Sequence, residues 1–305
     1  MTMTRLTGVF APAVTPFTPE LGTDFDLYLA HCRWLQQQGA GLAIFGTNSE
    51  ANSLGVNERM MLLDRLIGRG IDADRTLPGT GCCALPDTVA LSRHALMHGC
   101  AGVLVLPPFF YKGVSDDGLF DYYAEVIERI GLDDLRLFLY HIPAVSGVPI
   151  SLDLIDRLAR RYPRQIAGVK DSSGDWTNIE AMLCNFPQLS IFPASESFLT
   201  RAMPLGAAGC ISATVNVNPV AIVDLFSNWN KDDAAQAQKG IDVVRGIFQK
   251  YPMIAALKWA ISHFRDQGNW QIQRPPLRGL TSAQQTALLA ELQAAGFSMP
   301  PLVRP

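Results

Sequence analysis

The 305-residue sequence lacks the features that mark several large classes of protein. No apolar run is long enough to cross a bilayer, and no segment is dense in lysine and arginine. The net charge is only −3, and the sequence pI is about 5.9. These absences argue against a membrane protein and against a nucleic-acid or anionic-membrane partner. A signal-peptide pattern is also missing at the N-terminus, so a cytoplasmic location is the default expectation.

Cysteine and histidine form no convincing redox or metal motif. None of the six cysteines belongs to a Cys-x-x-Cys pair, and no neighbouring histidine supports a nucleophilic cysteine. His94 and His98 have the i, i+4 spacing of helical metal ligands, but they lack the intervening glutamate and any third ligand nearby. We therefore expect both histidines on a helix surface, and we predict no metal and no cofactor.

Apolar residues are abundant, and they recur in a regular order. Hydrophobic residues make up 48% of the chain and charged residues 17%, which is typical of a well-cored globular protein. Short apolar runs alternate with helical patterns roughly every 25–35 residues, as expected of βα units with parallel strands. Strand candidates begin near residues 8, 41, 76, 102, 136, 165, 189 and 209.

Eight βα units favour a closed (β/α)8 TIM barrel over an open, doubly wound sheet. The first strand is not followed by Gly-x-Gly-x-x-Gly, which weakens a dinucleotide-binding alternative. Beyond Trp229 the spacing predicts three helices, over 232–250, 252–266 and 281–295. We therefore assign residues 1–229 to an α/β barrel that carries the active site and residues 230–305 to a C-terminal helical region. No low-complexity linker separates the two parts, so independent movement is not expected.

Lys170 ends an apolar strand and is followed by a Ser-Ser-Gly-Asp turn. At the carboxyl end of a barrel strand, a lysine points into the mouth where active sites lie. Burial disfavours the charged form of an amine, and a neutral amine can attack a carbonyl to form a Schiff base. The alternative is a solvated lysine just past the strand, paired with Asp171.

Two further polar segments end strands that would share this mouth. Tyr140 ends the strand beside that of Lys170, and its hydroxyl can carry protons for a Schiff-base reaction. Thr47 would orient that hydroxyl. The loop from Gly46 to Ser49 offers backbone and side-chain donors for the carboxylate of a 2-oxo acid. The alternatives are an ordinary strand-end aromatic for Tyr140 and an ordinary turn for the loop, with Glu50 in solvent.

Three segments carry a resemblance to a known family: 46–50 (GTNSE), 140–147 (YHIPAVSG) and 168–175 (GVKDSSGD). Together with 15–17, 107–111, 258–260 and 274–277, they resemble the dihydrodipicolinate synthase / N-acetylneuraminate lyase family. The resemblance implies a lysine-dependent class I aldolase or lyase on a TIM barrel, usually a homotetramer. It implies that Lys170 forms the Schiff base and that Tyr140 transfers protons, with Thr47 as their catalytic partner. The substrate-binding residues it suggests are Gly46, Thr47, Asn48, Ser49, Ser172, Glu196 and Ile211.

The sequence departs from that family at positions that bear on the substrate. Asn48 and Ser49 stand where the family usually has a hydroxyl residue and a glycine, and an amide cannot pass a proton as a hydroxyl does. Phe110, or Tyr111 if the loop shifts by one, stands where the synthase supplies a tyrosine to a neighbouring subunit. Val145 stands where the synthase has an arginine for the aldehyde's carboxylate. Glu196 retains part of the acidic sugar-binding segment of the sialic-acid lyases.

These departures order the functional hypotheses. The first is cleavage of a small hydroxylated 2-oxo acid to pyruvate and an aldehyde. The second is dehydration of a 2-keto-3-deoxy sugar acid through the same Schiff base. Dihydrodipicolinate synthase activity proper is a further alternative, although Val145 predicts that aspartate semialdehyde is a poor partner. A non-catalytic keto-acid binding protein is the hypothesis from another class.

Overall fold

Seven short parallel strands form the centre of the molecule. The structure is a computed structural model that describes residues 5–265 and 268–299. The predicted end of one helix at Asp266 and the C-terminal residues 300–305 lie outside the described residues. The strands are β1 Gly8–Ala11, β2 Gly41–Leu42, β3 Val103–Val105, β4 Leu137–His141, β5 Ile166–Asp171, β6 Ser190–Pro193 and β7 Gly209–Ile211.

The strands close into a barrel. They pair in the orders β2-β1-β7 and β3-β4-β5-β6, and every pairing is parallel. One gap is bridged by residues 76–80, where the Leu77 N–H donates to the Leu42 carbonyl at 2.7 Å. The other is bridged by the Ala208 N–H, which donates to the Ile191 carbonyl at 2.9 Å. The predicted (β/α)8 barrel is therefore confirmed, with an eighth segment too irregular to count as a strand.

That eighth segment, residues 76–80, is irregular for a local reason. Pro78 has no N–H to give to a neighbouring strand. A side chain at Gly79 would place its Cβ 2.2 Å from the Phe45 carbonyl oxygen, so the backbone approaches closely. Isolated bridges pair Thr76 with Leu42 of β2 and Gly79 with Leu104 of β3.

The barrel interior is filled by one residue from almost every strand. Phe192 contacts Phe10 edge-on and Phe138 in a tilted arrangement, with ring centroids 5.7 and 6.1 Å apart. Each fully buried phenylalanine contributes on the order of 1.5–3 kcal/mol. Gly168 makes room for Phe138, whose ring carbon would lie 2.8 Å from a Cβ at that position. A second, larger apolar core lies between the strands and the surrounding helices.

Helices follow the strands and form the outer layer. They are α1 Phe25–Gln37, α2 Val56–Gly68, α3 Leu85–Met97, α4 Asp116–Ile130, α5 Pro143–Ser146, α6 Leu152–Arg161, α7 Trp176–Asn185, α8 Leu199–Ala202, α9 Pro219–Asn228, α10 Ala234–Gln249, α11 Met253–Arg265 and α12 Ser282–Ala294. Short 3-10 turns span Ala51–Ser53, Ala73–Arg75, Glu196–Phe198, Met203–Leu205, Ala213–Asn216 and Gly268–Gln271. Within the described ranges, no helix combines the length and apolar character needed to cross a membrane.

The helix starts follow local capping chemistry. The side chains of Asp24, Ser151 and Thr281 each accept a backbone N–H from the first turn of the helix that follows. Two parts differ from the prediction. Residues 196–205, which a simple βα repeat would place in one helix, form a 3-10 turn, α8 and a second 3-10 turn, and the short helix α5 adds to the repeat.

A buried cluster of polar residues joins the C-terminal helices to the barrel. We call Glu50, Lys258, His31, Arg265 and Asn216 the polar seam. The Lys258 ammonium lies 2.7 Å from the Glu50 carboxylate, and both side chains are fully buried. Arg265 donates to His31 Nδ1 at 3.1 Å, so His31 Nε2–H donates to the Asn216 carbonyl oxygen at 3.0 Å. Helix α11 is therefore locked to α1 and to the loop after β2.

Burial controls protonation in the polar seam. It lowers the pKa of His31 to about 3, and the charge of Arg265 adds to this effect. Burial also raises the pKa of Glu50 and lowers the pKa of Lys258, although each is the other's counter-ion. Burial thus penalises the charged forms in the polar seam, and the pairing of Glu50 with Lys258 only partly offsets this penalty.

Candidate active site

A cavity of about 450 Å³ opens at the carboxyl ends of the strands. Its volume lies within the range of about 300–1,000 Å³ typical of small-molecule sites. Six of the predicted site residues line it: Thr47, Asn48, Tyr140, Lys170, Ser172 and Ile211. The remaining three, Gly46, Ser49 and Glu196, do not.

Strand alternation aims Lys170 into this cavity. Lys170 lies two residues beyond Gly168, and Tyr140 two residues beyond Phe138, so both point to the barrel interior. The two residues are paired in register on β5 and β4. Lys170 is only 3% exposed, and its Nζ lies 4.0 Å from the centroid of the Tyr140 ring.

Lys170 has no carboxylate within 4.0 Å among the described residues. The neighbouring Asp171 carboxylate instead accepts the Ser173 N–H and hydroxyl and the Asn178 amide, at 2.6–2.7 Å. These bonds hold the turn after β5. The structure therefore differs from the alternative of a solvated Lys170–Asp171 pair, because both residues are buried and the Asp171 carboxylate is bonded to Ser173 and Asn178 instead.

The Tyr140 hydroxyl lies 3.2 Å from the Thr47 hydroxyl. Burial alone raises the pKa of Tyr140. The charge of Lys170 and the hydrogen bonds from Thr47, Lys170 and Ser172 outweigh burial, and the pKa falls below its ordinary value of 10.0. A phenol with a lowered pKa in contact with an amine is suited to moving protons at a neighbouring carbon or oxygen.

The loop after β2 is held by its own backbone and by the polar seam. The Gly46 carbonyl accepts the N–H groups of Ser49 and Ala51, and the Ser49 carbonyl accepts the Thr15 hydroxyl. Gly46 and Ser49 are buried and shape the loop. Glu50 is buried against Lys258, so the structure differs from the alternative of an ordinary turn with Glu50 in solvent. The loop leaves Thr47 and Asn48 half-buried at the cavity wall.

Glu196 lies behind the cavity wall. It is 1% exposed, and its two carboxylate oxygens accept the hydroxyls of Ser212 and Thr214. Arg245 of α10 approaches the same carboxylate, with Nη1 3.5 Å from Oε2. These partners occupy both oxygens of Glu196, which revises the expectation that it binds substrate hydroxyls.

Arg245 itself lines the cavity, together with Gln249 and Met253. Sequence reasoning missed this arginine because no motif surrounds it and because it lies in the C-terminal helical region. Val145, on α5, also lines the cavity and is 63% exposed. The cation missing at Val145 is thus present elsewhere on the wall.

Phe110 and Tyr111 lie outside the cavity lining. They are 73% and 71% exposed and contact each other edge-on, with ring centroids 5.3 Å apart. Neither ring touches the Tyr140–Thr47 pair within this chain.

His94 and His98 do have a third candidate ligand, contrary to the sequence-based expectation. Oδ1 of Asp64, on the neighbouring helix α2, lies 2.7 Å from Nε2 of each histidine. The ligand atoms of these three side chains all lie within 4.8 Å of one another, close enough to share a metal ion. They lie on the outer helices rather than in the cavity. No sequence motif indicates Asp64, because it lies 30 residues away from His94.

Known proteins match nearly the whole chain. Residues 5–295 match the model of the dihydrodipicolinate synthetase family. An uncharacterized DapA-like lyase of Chloroflexus aurantiacus is 35% identical over 93% of this chain and 95% of its own. The crystal structure of dihydrodipicolinate synthase from Agrobacterium tumefaciens superimposes with a TM-score of 0.88, at 30% identity over 98% of this chain and all of that one. YagE of Escherichia coli K12, solved in complex with pyruvate, gives 0.85 at 26% identity, over 95% of this chain and 98% of its own.

Proposed function

Because the chain belongs to the dihydrodipicolinate synthetase family, whose members are class I aldolases and lyases, we propose that it cleaves a small hydroxylated 2-oxo acid to pyruvate and an aldehyde. The observation that carries this proposal is Lys170, buried at the cavity against the Tyr140 ring with no carboxylate partner in the described structure. The pyruvate complex of the similar protein YagE supports a 2-oxo acid as the ligand.

In the proposed reaction, Lys170 Nζ attacks the carbonyl carbon of the 2-oxo acid. The carbinolamine loses water to give an iminium ion, which draws electrons from the adjacent carbon–carbon bond. Tyr140 removes the proton of the substrate's C4 hydroxyl, the C3–C4 bond breaks, and the aldehyde leaves. The resulting enamine takes this proton from Tyr140 at C3, and hydrolysis of the iminium ion so formed releases pyruvate and the free amine.

Thr47 and Asn48 are assigned to the keto-acid end of the substrate. The Thr47 hydroxyl is within reach of Tyr140 and keeps its oxygen oriented. The backbone N–H groups of Thr47 and Asn48 have no acceptor in the described chain, which suits them to a carboxylate. Ser172 supports the Tyr140 hydroxyl, and Ile211 packs against the bound acid.

Dehydration of a 2-keto-3-deoxy sugar acid is the second candidate, since it needs the same lysine and the same proton carrier. Synthase activity proper is disfavoured by the apolar side chain of Val145. A binding protein without turnover would keep the cavity but not need the lowered pKa of Tyr140. Product analysis separates these candidates, because only cleavage releases pyruvate.

Borohydride trapping tests the central proposal. With pyruvate, the chain is expected to gain one reduced adduct at Lys170, read by intact mass and peptide mapping. Lys170→Ala is expected to gain none and to lose turnover by about 10⁴-fold or more, because the covalent route is gone. Lys239→Ala, at an exposed lysine of α10, is the matched control and keeps the adduct. An adduct at another lysine, or none with any 2-oxo acid, would refute the assignment.

We further propose a cytoplasmic homotetramer in which residues 107–112 meet a neighbouring subunit. The support is the pair of exposed rings at Phe110 and Tyr111, which are costly to leave in water. Light scattering at micromolar concentration is expected to give about four times the 33.3 kDa chain mass. A stable 33.3 kDa species would overturn the assembly without affecting the chemistry.

A further inference from the structure

The cavity wall opposite the barrel strands carries one arginine. Arg245 reaches the cavity from α10, and its side chain is 12% exposed. Gln249 and Met253 lie beside it on the same wall. The proposed reaction assigns no role to this cation.

Arg245 is held in place from behind. Its Nη1 donates to the Ser212 hydroxyl at 3.0 Å and lies 3.5 Å from the Glu196 carboxylate. Because Ser212 and Thr214 donate to Glu196, the carboxylate cannot swing toward the cavity without losing these bonds. Glu196 is therefore a positioning residue for the guanidinium.

The guanidinium still has donors to offer. An arginine carries five N–H donors, and the bonds above involve one of its nitrogens. Nη2 has no hydrogen-bond partner among the described residues and, unlike the fully enclosed Nε, it keeps accessible surface. A ligand in the cavity would supply the acceptor that this donor lacks.

The charges around the cavity indicate what that ligand is. The charged residues that line it are Lys170, Asp171 and Arg245. Lys170 is used by the Schiff base, and the Asp171 carboxylate is occupied by Ser173 and Asn178. Arg245 is thus the lining cation that is free to contact the part of the substrate beyond the reacting carbons. Glu196 beside it reduces the local positive charge, which favours a singly charged group over a phosphate.

On the premise of the Schiff-base function above, we propose that Arg245 forms a distal anion subsite. The subsite selects substrates whose aldehyde half ends in a carboxylate. Planar guanidinium and carboxylate groups match in shape, and their charge-assisted hydrogen bonds are about twice as strong as neutral ones. Preferred substrates are therefore hydroxylated 2-oxo diacids rather than neutral sugar acids.

The test compares two 2-oxo acids with the same six-carbon chain, 2-oxoadipate and 2-oxohexanoate. They differ only in the terminal carboxylate. The concentration dependence of borohydride trapping at Lys170 gives an apparent dissociation constant for each. The wild-type protein is expected to bind the diacid about tenfold more tightly or better. Arg245→Met is expected to bring the ratio close to one. Arg160→Met, at a guanidinium 80% exposed on α6, keeps the wild-type ratio.

The outcomes separate the subsite from the chemistry. Adducts with both acids but no preference in the wild type, or a preference unchanged by Arg245→Met, would overturn the subsite and leave the Schiff-base function intact. Failure of pyruvate and of both acids to label Lys170 would overturn the function itself. If Arg245→Met does not fold, Arg245→Lys decides. That variant keeps the charge but loses the planar guanidinium, so it is expected to retain a reduced preference for the diacid. A full wild-type ratio with lysine would contradict guanidinium recognition.

Discussion

Lys170 and Lys258 are both buried lysines, and their surroundings differ in one decisive way. Lys258 contacts the Glu50 carboxylate at 2.7 Å and is fully enclosed. Lys170 faces a cavity and has an aromatic ring rather than a carboxylate as its neighbour. Both sit near a π face, since Lys258 is also 4.6 Å from the Phe17 ring centroid. The counter-ion therefore distinguishes them. A buried amine with a carboxylate holds the fold, whereas one without a carboxylate remains available to a ligand.

The arginines repeat this contrast. Arg265 in the polar seam donates to His31 and stacks over Trp34, at 4.2 Å from the ring centroid. Arg245 is fixed on one side by Glu196 and Ser212 and faces the cavity on the other. Conservative substitutions should therefore affect turnover in the cavity and stability in the polar seam.

Apart from the loss of Lys170 itself, Tyr140→Phe should give the largest effect in the cavity. The substitution keeps the ring but removes the hydroxyl that carries protons, so turnover is expected to fall by about 10²–10⁴-fold. Steady-state kinetics with a matched thermal melt measure this. The control is Tyr123→Phe, which removes a buried hydroxyl bonded to the Val105 carbonyl outside the cavity. It is expected to cost about 1 kcal/mol of stability with unchanged turnover. Similar losses of turnover in both variants would contradict a specific role of the Tyr140 hydroxyl in proton transfer.

Acid should weaken the polar seam through His31. Its folded pKa of about 3 lies below the ordinary value of 6.5. Between these values the unfolded chain binds a proton that the folded chain does not, so stability falls as pH drops from 6.5 toward 3. The full window corresponds to about 4–5 kcal/mol.

Urea unfolding midpoints measured from pH 7.5 to 4.5 test this. The midpoint of His31→Gln is expected to fall less with decreasing pH than that of the wild type. His263→Gln, at an exposed histidine on the same helix α11, is the control and keeps the wild-type slope. Identical slopes in all three proteins would show that His31 takes up its proton without unfolding.

Removing one partner of the Glu50–Lys258 pair should cost about 3–5 kcal/mol, because a buried charge is left alone. Lys258→Met tests this by denaturant unfolding. Glu50→Gln combined with Lys258→Met should recover most of the loss, to within about 1 kcal/mol of wild type. The exposed Arg129–Glu125 pair is the control, since Arg129→Met should lower the free energy of unfolding by at most about 0.5 kcal/mol. A double variant as unstable as the single one would mean that packing, not charge, dominates here.

The elements that depend on nearby residues were predicted well. Apolar runs predicted strands near residues 136 and 165, where β4 and β5 lie, and the helix predicted over 281–295 matches α12 to within one residue at each end. Residues 76–80 were less predictable, because their irregularity depends on the close approach of Gly79 to Phe45. That approach links positions far apart in the chain.

The residues of the site show the same difference between positions set by local sequence and positions set by long-range packing. Lys170 and Tyr140 were predicted to be neighbours because strand order and alternation dictate it. Glu196 was predicted as a substrate ligand, but the packing of α10 places Arg245 beside it. The residues next to Glu196 in the sequence do not indicate this contact. Asp64 likewise joins His94 and His98 only because α2 packs against α3.

The distal wall has a consequence for how such a protein diversifies. Arg245, Gln249 and Met253 come from the C-terminal helices, whereas Lys170 and Tyr140 come from barrel strands. Mutations that alter the wall need not disturb the strands. Proteins that share this architecture can therefore change their preference for the aldehyde half of the substrate while they keep the same catalytic residues. In a directed-evolution experiment, saturating these three helical positions should yield new preferences more readily than randomising the strand ends.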